Sequence, residues 1–247
     1  MQTATPLFAA KDIARSFGGL LAVSDLSFEI REREVLGLIG PNGAGKSTTF
    51  NLISGFYAPT RSKLFIDGTD AKGMSPERIS RKGLVRTFRH GSLMRSMTVA
   101  DNILIGTLGS LPRSERAERV GETARLFSLQ AKLDEIAGIL PHGLQRLVSI
   151  AFASRPRILC LDEPLTGLNQ TEVAATLEVF ERIRDEFGSS VLLVEHNMKA
   201  VMQVCDRIVV LHHGRMLATG SPDSPRSARD RSLPRSKSWA LTRSFWT

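Results

Sequence analysis

Apolar residues occur along most of the chain in short or alternating runs, and stretches compatible with helices separate these runs. Such runs, bounded by turn-forming and polar residues, predict strands. Strands are predicted at residues 21–30, 35–39, 63–68 (a hairpin-like piece), 84–88, 158–161, 190–194 and 207–211. Helices are predicted at 49–54, from 76, at 145–153 and at 171–187. This alternation predicts an α/β fold with a mainly parallel sheet, and a helical subdomain is inserted at about 89–155.

The last 27 residues differ in kind from the rest of the chain. Residues 221–247 are rich in serine, arginine and proline, lack apolar periodicity and carry both tryptophans, Trp239 and Trp246. This composition predicts a disordered basic tail after one domain at residues 1–220. The alternative is a basic and aromatic strip that contacts a membrane or a nucleic acid.

Composition narrows the class of protein. With 247 residues, 42% of them hydrophobic and 23% charged, the chain is typical of a globular α/β protein. It has neither a secretory signal nor an apolar run of the roughly 18 residues that a membrane span needs. The cysteines, Cys160 and Cys205, stand among apolar neighbours and indicate buried thiols in a reducing cytosol. The net charge of +8 suits phosphate ligands or an anionic membrane surface as well as a nucleic acid, and it does not by itself indicate nucleic-acid binding.

A glycine-rich segment with the pattern G-x-x-x-x-G-K-S follows the predicted strand Val35–Ile39 and precedes a predicted helix. Its glycines let consecutive backbone N–H groups point at phosphate oxygens, and the helix adds its positive end. Lys46 would reach the β- and γ-phosphates, and Ser47 would ligate Mg²⁺. We call this segment the phosphate loop, and we predict that it binds ATP through Gly40, Pro41, Asn42, Gly43, Ala44, Gly45, Lys46, Ser47 and Thr48.

A second apolar strand ends in two carboxylates, Asp162 and Glu163. Asp162 is predicted to hold Mg²⁺, and Glu163 to orient or deprotonate the attacking water. His196 comes two residues after the strand at 190–194, and we predict that it contacts the γ-phosphate. The predicted catalytic residues are therefore Lys46, Glu163 and His196.

These motifs resemble those of the ATP-binding subunits of ABC transporters, and most of all those of branched-chain amino acid importers. The resemblance spans about residues 7–220 and rests on segments 16–23, 40–48, 85–88, 140–146, 161–164, 167–169 and 194–198. It implies an ABC ATPase fold with an N-terminal antiparallel β subdomain. It also implies a protein at the cytoplasmic face of the inner membrane, with transmembrane permease subunits and a second ATP-binding subunit as partners, and with no nucleic acid.

The resemblance also implies roles for single residues. Phe17 matches the aromatic residue that stacks on adenine. Gly143 belongs to the signature loop, which caps the γ-phosphate bound by the partner subunit. Asn169 lies in the loop that crosses the dimer interface, and the segment at about 91–105 would face the membrane subunits.

The sequence departs from the family pattern at several functional positions. Arg89 replaces a glutamine that meets Mg²⁺ and water, and a guanidinium cannot ligate a cation. Pro141 and His142 fill the serine and first-glycine positions of the signature, and Leu144 replaces its glutamine. Pro141 offers neither a hydroxyl nor an N–H. The stretch between Gly143 and Asp162 is about two residues short, which would rotate the apolar face of a helix by roughly 200° unless the following loop absorbs it.

Three functions follow from these observations. The leading one is an ATP-hydrolysing subunit that powers uptake, with branched-chain amino acids as the solute. The alternative is a degenerate nucleotide-binding subunit with weak or no hydrolysis, which Arg89 and Pro141 favour. A third function, an ABC-type ATPase acting on nucleic acid or in translation, is disfavoured because the chain has one phosphate loop and such proteins commonly carry two.

Overall fold

Eleven strands and seven α-helices make up the described part of the computed structural model, which comprises residues 5–87, 93–108, 111–153, 155–222 and 224–227. The strands are β1 (Phe8–Phe17), β2 (Leu20–Ile30), β3 (Val35–Ile39), β4 (Arg61–Ile66), β5 (Thr69–Asp70), β6 (Leu84–Arg86), β7 (Ile158–Asp162), β8 (Ser190–Val194), β9 (Arg207–His212), β10 (Arg215–Ser221) and β11 (Ser224–Ser227). The helices are α1 (Lys46–Ile53), α2 (Pro76–Arg81), α3 (Val99–Thr107), α4 (Arg113–Leu126), α5 (His142–Ala151), α6 (Gln170–Asp185) and α7 (Met198–Val204).

The larger sheet has seven strands in the order β11-β10-β9-β3-β8-β7-β6, of which β9, β3, β8, β7 and β6 are parallel. All residues of β3, β7 and β8 are buried. Continuous apolar runs are what a strand covered on both faces requires, and they explain why the sequence located these strands well. The predicted α/β class with a mainly parallel sheet is confirmed.

The smaller sheet is antiparallel, with strand order β2-β1-β4-β5. Phe8, Ile13 and Leu26 point into its buried side, where they join the apolar core that also contains α1. An N-terminal antiparallel β part, which the family resemblance implied, is therefore present.

Three of the α-helices, α3, α4 and α5, lie between β6 and β7, which are themselves hydrogen-bonded neighbours with Leu84 opposite Ile158. The chain thus leaves the sheet after β6 and returns beside the strand that it left. The apolar residues of α5, namely Leu147, Val148, Ile150 and Ala151, are buried in the main core. The apolar face of α5 therefore packs into the core, and Arg155 in the loop that follows has a left-handed φ of 61°.

The structure also contains elements that the sequence patterns did not indicate, namely β1, α7, β10 and β11. Strand β11 lies inside the segment predicted to be a disordered tail, and it pairs antiparallel with β10. Residues 228–247 lie outside the described residues, as does Arg89, so the predictions for them stay predictions. No helix in the described ranges is long and apolar enough to cross a lipid bilayer.

Both cysteines are free and buried, as predicted. Burial raises the pKa of the Cys160 thiol to about 12, and burial followed by the nearby carboxylates of Asp206 and Glu34 raises that of Cys205 to about 12. Both thiols therefore stay protonated at neutral pH and contribute to the core as small apolar side chains.

Candidate ATP-binding and hydrolysis site

The residues predicted to bind and hydrolyse ATP lie where three neighbouring parallel strands end. The phosphate loop follows β3, the acidic pair ends β7, and His196 follows β8. Val194 on β8 lies opposite both Leu38 on β3 and Asp162 on β7, so the three strand ends are level. Because carboxyl ends of parallel strands share one sheet edge, segments that are distant in sequence meet there.

Within the phosphate loop, Lys46 is 6% exposed, and its ammonium donates hydrogen bonds to the carbonyl oxygens of Gly40 (2.7 Å) and Pro41 (2.9 Å). The backbone of the phosphate loop therefore surrounds the Lys46 side chain. Gly45, at the start of α1, has a φ of 97°, and a Cβ there would lie 2.7 Å from the Ala22 carbonyl oxygen. Only glycine tolerates both the left-handed backbone and this close approach.

The phosphate loop is also held from the opposite side. The Gly214 N–H, in the turn between β9 and β10, donates to the Ala44 carbonyl (3.0 Å), and the Ser24 N–H on β2 donates to the Gly214 carbonyl (2.8 Å). A fixed loop with a lysine inside it, at the N-terminus of α1, fits a polyphosphate ligand. Ser47 is exposed on the first turn of that helix, and Thr48 beside it is half-buried.

The second acid of the pair meets the predicted histidine. The Glu163 Oε1 and His196 Nε2 atoms are 2.6 Å apart, and the Glu163 N–H donates to the Val194 carbonyl (2.9 Å). Glu163 has a φ of 48°, in the left-handed region that non-glycine residues rarely adopt. Strained backbone of this kind concentrates at functional sites, which agrees with a catalytic role for this residue.

Asp162 makes a contact that the sequence did not reveal. Its Oδ2 atom is 3.1 Å from Nη2 of Arg86, and both side chains are almost buried. Arg86 also donates to the Asn51 side chain on α1, and its guanidinium lies 5.4 Å from the centre of the Phe50 ring. A charged residue at the end of the short strand Leu84–Arg86 was the available signal, although its partner could not be predicted from the sequence.

Glu195 is a second residue that sequence reasoning missed. It is 3% exposed, and its carboxylate accepts from the Leu165 N–H (2.7 Å) and the His196 N–H (3.0 Å). It therefore ties the segment that carries His196 to the segment that follows Glu163. The signal was a carboxylate placed directly after a buried strand.

Phe17 lies at the turn between β1 and β2 and is 37% exposed. Tyr57 meets its ring at a centroid distance of 5.4 Å in an edge-on arrangement, and the Arg15 guanidinium lies 4.6 Å from the ring centre. The ring is thus held by two neighbours and keeps exposed surface that can stack on a base. Strand β2 begins three residues after Phe17, and its residue Ala22 packs against the phosphate loop at Gly45.

The predicted signature residues lie at the start of α5. Pro141 occupies the N-cap position with a φ of −54°, and Gly143 is buried in the first turn. The Gly143 N–H donates to Oε1 of Glu172 on α6 (3.1 Å). Asn169 is the N-cap of α6, where its side chain accepts from the Glu172 N–H (3.0 Å). The contacts of Gly143 are therefore with α6, whereas Lys46, Asp162, Glu163 and His196 belong to the sheet edge.

A phosphate loop after the central parallel strand, with carboxylates at the ends of the adjoining strands, defines a nucleotide-hydrolysing α/β domain. The sequence pattern of the ABC transporter family matches residues 23–166, and the chain belongs to this family. It is an ATP-binding, ATP-hydrolysing subunit of the ABC transporter type.

Relatives and a solved structure agree with this assignment. The chain is 39% identical to the high-affinity branched-chain amino acid transport ATP-binding protein BraF of Pseudomonas aeruginosa, over 91% of this chain and 95% of BraF. It is 38% identical to the LivG protein of the same description from Salmonella typhimurium, with the same coverage, and 36% identical to the lipopolysaccharide export ATP-binding protein LptB of Acidithiobacillus ferridurans (87% and 90%). A crystal structure of an ABC transporter ATP-binding cassette in its ADP conformation aligns with a TM-score of 0.79 at 26% identity, over 88% of this chain and 92% of that one.

Proposed function

We propose that this subunit powers the uptake of branched-chain amino acids. The support for this solute is the similarity to BraF and LivG, the branched-chain amino acid transport proteins named above, to which the chain is more similar than to LptB. The observation that carries the proposal of ATP hydrolysis is the Glu163–His196 pair, 2.6 Å apart at the ends of β7 and β8, on the same sheet edge as the phosphate loop.

Each residue at the sheet edge has a distinct part in the proposed mechanism. Backbone N–H groups of the phosphate loop bind the phosphates of ATP, and Lys46 turns from the carbonyls of Gly40 and Pro41 toward phosphate oxygens. Glu163 orients the attacking water and accepts its proton, while the N–H of His196 turns from the Glu163 carboxylate to the γ-phosphate when ATP is bound. Phe17 stacks on the adenine.

Two oxygen-bearing side chains would hold Mg²⁺, the Ser47 hydroxyl and the Asp162 carboxylate. Hard oxygen donors suit this ion, which commonly takes one or two protein ligands and completes its octahedron with water and phosphate oxygens. Mg²⁺ supplies neutralising charge to the phosphate oxygens when it is bound. Since Arg86 pairs with Oδ2 of Asp162, the other oxygen of this carboxylate is the one we assign to the metal.

The partners in this proposal are transmembrane permease subunits and a second ATP-binding subunit, at the cytoplasmic face of the inner membrane. The signature residue Gly143 would act on the nucleotide of that second subunit. The permease partners follow from the transport systems to which BraF and LivG belong. The contact with the membrane subunits is assigned to the segment at about 91–105.

The test uses membrane vesicles that contain this chain with its permease subunits and solute-binding protein, and measures leucine uptake together with phosphate release. Glu163→Gln is expected to retain ATP binding and to lower both rates by about 10²-fold or more, because the water loses its base. Glu178→Gln, an exposed charge change on α6, is the matched control and should leave both rates unchanged.

Two results would contradict the proposal separately. Wild-type turnover in Glu163→Gln would remove Glu163 from the chemistry. Phosphate release that leucine, isoleucine and valine fail to stimulate, in vesicles whose Glu163→Gln variant is inactive, would leave the ATPase intact and refute the solute.

A further inference from the structure

One carboxylate, that of Glu172, joins the N-termini of two helices. Its Oε2 atom accepts from the Asn169 N–H at the start of α6 (3.0 Å), and its Oε1 atom accepts from the Gly143 N–H at the start of α5 (3.1 Å). The first contact belongs to a capping box, a common local arrangement in which residues N-cap and N3 satisfy each other. The second contact reaches an element 29 residues away in sequence.

The backbone N–H groups at the start of α5 have few other hydrogen-bond acceptors on their own helix. Its N-cap is Pro141, which makes no side-chain cap hydrogen bond, and its first turn carries no acidic residue. The N–H groups at a helix start need acceptors, and the helix dipole favours a negative charge there. Glu172 supplies both requirements to α5 from α6, whose own first turn it also completes.

The packing at this contact has no spare room. A Cβ on Gly143 would lie 2.5 Å from Oε1 of Glu172, and a Cβ on Gly167 would lie 3.3 Å from the His142 ring. Arg146, one turn further along α5, donates to the Thr166 carbonyl (3.3 Å). The start of α5 therefore rests on the segment that runs from Glu163 to Asn169.

That segment leads directly to the catalytic pair. The Thr166 N–H donates to the Glu163 carbonyl (3.3 Å), the Leu168 N–H donates to the Leu165 carbonyl (3.2 Å), and Glu195 holds the Leu165 N–H. The hydrogen bonds within the 163–169 segment, together with the contacts that Arg146 and Glu172 make across to it, thus connect Glu163 with the start of α5.

We propose that Glu172 is a positioning residue that locks the start of α5 to the 163–169 segment, so that the catalytic Glu163 and the signature glycine Gly143 move as one unit. This inference rests on the proposed function, in which Gly143 meets the nucleotide of a second subunit. A movement of Glu163 and His196 in one subunit would then move Gly143 of the same subunit, which contacts the nucleotide of the second subunit.

The first test replaces the carboxylate with an amide. Glu172→Gln keeps one acceptor oxygen where two are needed, so one of its two N–H partners loses its bond. Hydrogen exchange followed by NMR is expected to show the Gly143 or the Asn169 amide exchanging about tenfold faster or more, as loss of a charge-assisted bond requires. The kcat for ATP should fall about tenfold with KM within twofold, because the hydrogen bonds of Glu172 go to α5 and α6. Glu178→Gln should change none of these.

A second variant breaks the same contact from the other side. The new methyl group of Gly143→Ala displaces the Glu172 carboxylate and should speed exchange at Asn169, a residue that the substitution does not touch. The double variant therefore combines Gly143→Ala with Glu172→Ala, which removes both acceptor oxygens, and the two effects on Asn169 exchange should not add, because both changes remove one interaction. Additive effects, or unchanged exchange in Glu172→Gln, would overturn the lock.

The kinetic and exchange readouts separate the two proposals. Faster amide exchange with unchanged kcat would overturn the coupling role of Glu172. A wild-type subunit that never hydrolyses ATP in its complex would refute the proposed function, while exchange at Gly143 and Asn169 would still decide whether Glu172 locks the two helices.

Discussion

Arg86 is a charged residue in an otherwise apolar strand, and its environment explains why it is there. It forms an ion pair with Asp162, and both side chains are close to fully buried. Two isolated buried charges would be costly, and the ion pair with Asp162 together with the bond to Asn51 reduces this cost. Arg86 therefore sets the orientation of the carboxylate that we assign to Mg²⁺.

We predict that Arg86→Ala lowers the free energy of unfolding by about 3 kcal/mol, because it leaves Asp162 buried without its counter-charge. Arg157→Ala is the matched control, since the Arg157–Asp67 pair is about half exposed and should contribute less than about 1 kcal/mol. Urea denaturation of the three proteins measures both values. Equal losses in the two variants would show that burial of the Arg86 pair has no special energetic role.

At the scale of residues, local motifs were predictable and long-range partners were not. Lys46, Asp162, Glu163 and His196 could be predicted because each stands in a short pattern next to a buried strand. The partner of Arg86 depends on the pairing of β6 with β7, and the second partner of Glu172 depends on how α5 packs against α6. Neither the pairing of these strands nor the packing of these helices can be predicted from the few residues around Arg86 or Glu172. The roles assigned to the site residues stay predictions.

At the scale of elements, the strength of the hydrophobic pattern decided the outcome. Strands β3 and β8 were predicted with their observed bounds because all their residues are buried. Strand β1 was missed because shifts in its pairing register interrupt the alternation, and Asp12 within it has a φ of 50°. Helix α7 has only seven residues, too few to show a clear period.

Helix α3 offers a test of an element's own stability. Its N-cap, Thr98, accepts from the Asp101 N–H (3.1 Å), and Asp101 in turn accepts from the Thr98 N–H (3.3 Å). We predict that Thr98→Ala lowers the free energy of unfolding by about 1 kcal/mol, as the loss of an N-cap does in other helices. Thermal unfolding followed by circular dichroism measures the change. Ser80→Ala, an exposed position within α2, should shift it by less than about 0.5 kcal/mol.

At the scale of the whole molecule, the residues with predicted roles form two groups. One lies at the carboxyl edge of the parallel sheet, around the phosphate loop, and the other lies where α5 meets α6, around Gly143. In the proposed function, a site is complete when the first group of one subunit meets the second group of another. This arrangement requires a head-to-tail pair of subunits.

We predict that ATP drives this pairing when hydrolysis is blocked. The Glu163→Gln variant should have the mass of a dimer with ATP and Mg²⁺ and of a monomer with ADP, as measured by light scattering during gel filtration. Lys46→Ala combined with Glu163→Gln should stay monomeric with ATP, because it lacks the charge that holds the phosphates. A Glu163→Gln protein of the same mass with either nucleotide would argue against a shared site.

Strands β6 and β7 lie side by side although the described part of the chain between them contains the helices α3, α4 and α5. The sheet is therefore continuous across the point where those helices leave it. Surface residues on these helices can therefore differ without interrupting the sheet edge at which we propose that ATP is bound. This independence of the sheet edge from the inserted helices agrees with the similarity of the chain to ATP-binding proteins of both amino acid transport and lipopolysaccharide export.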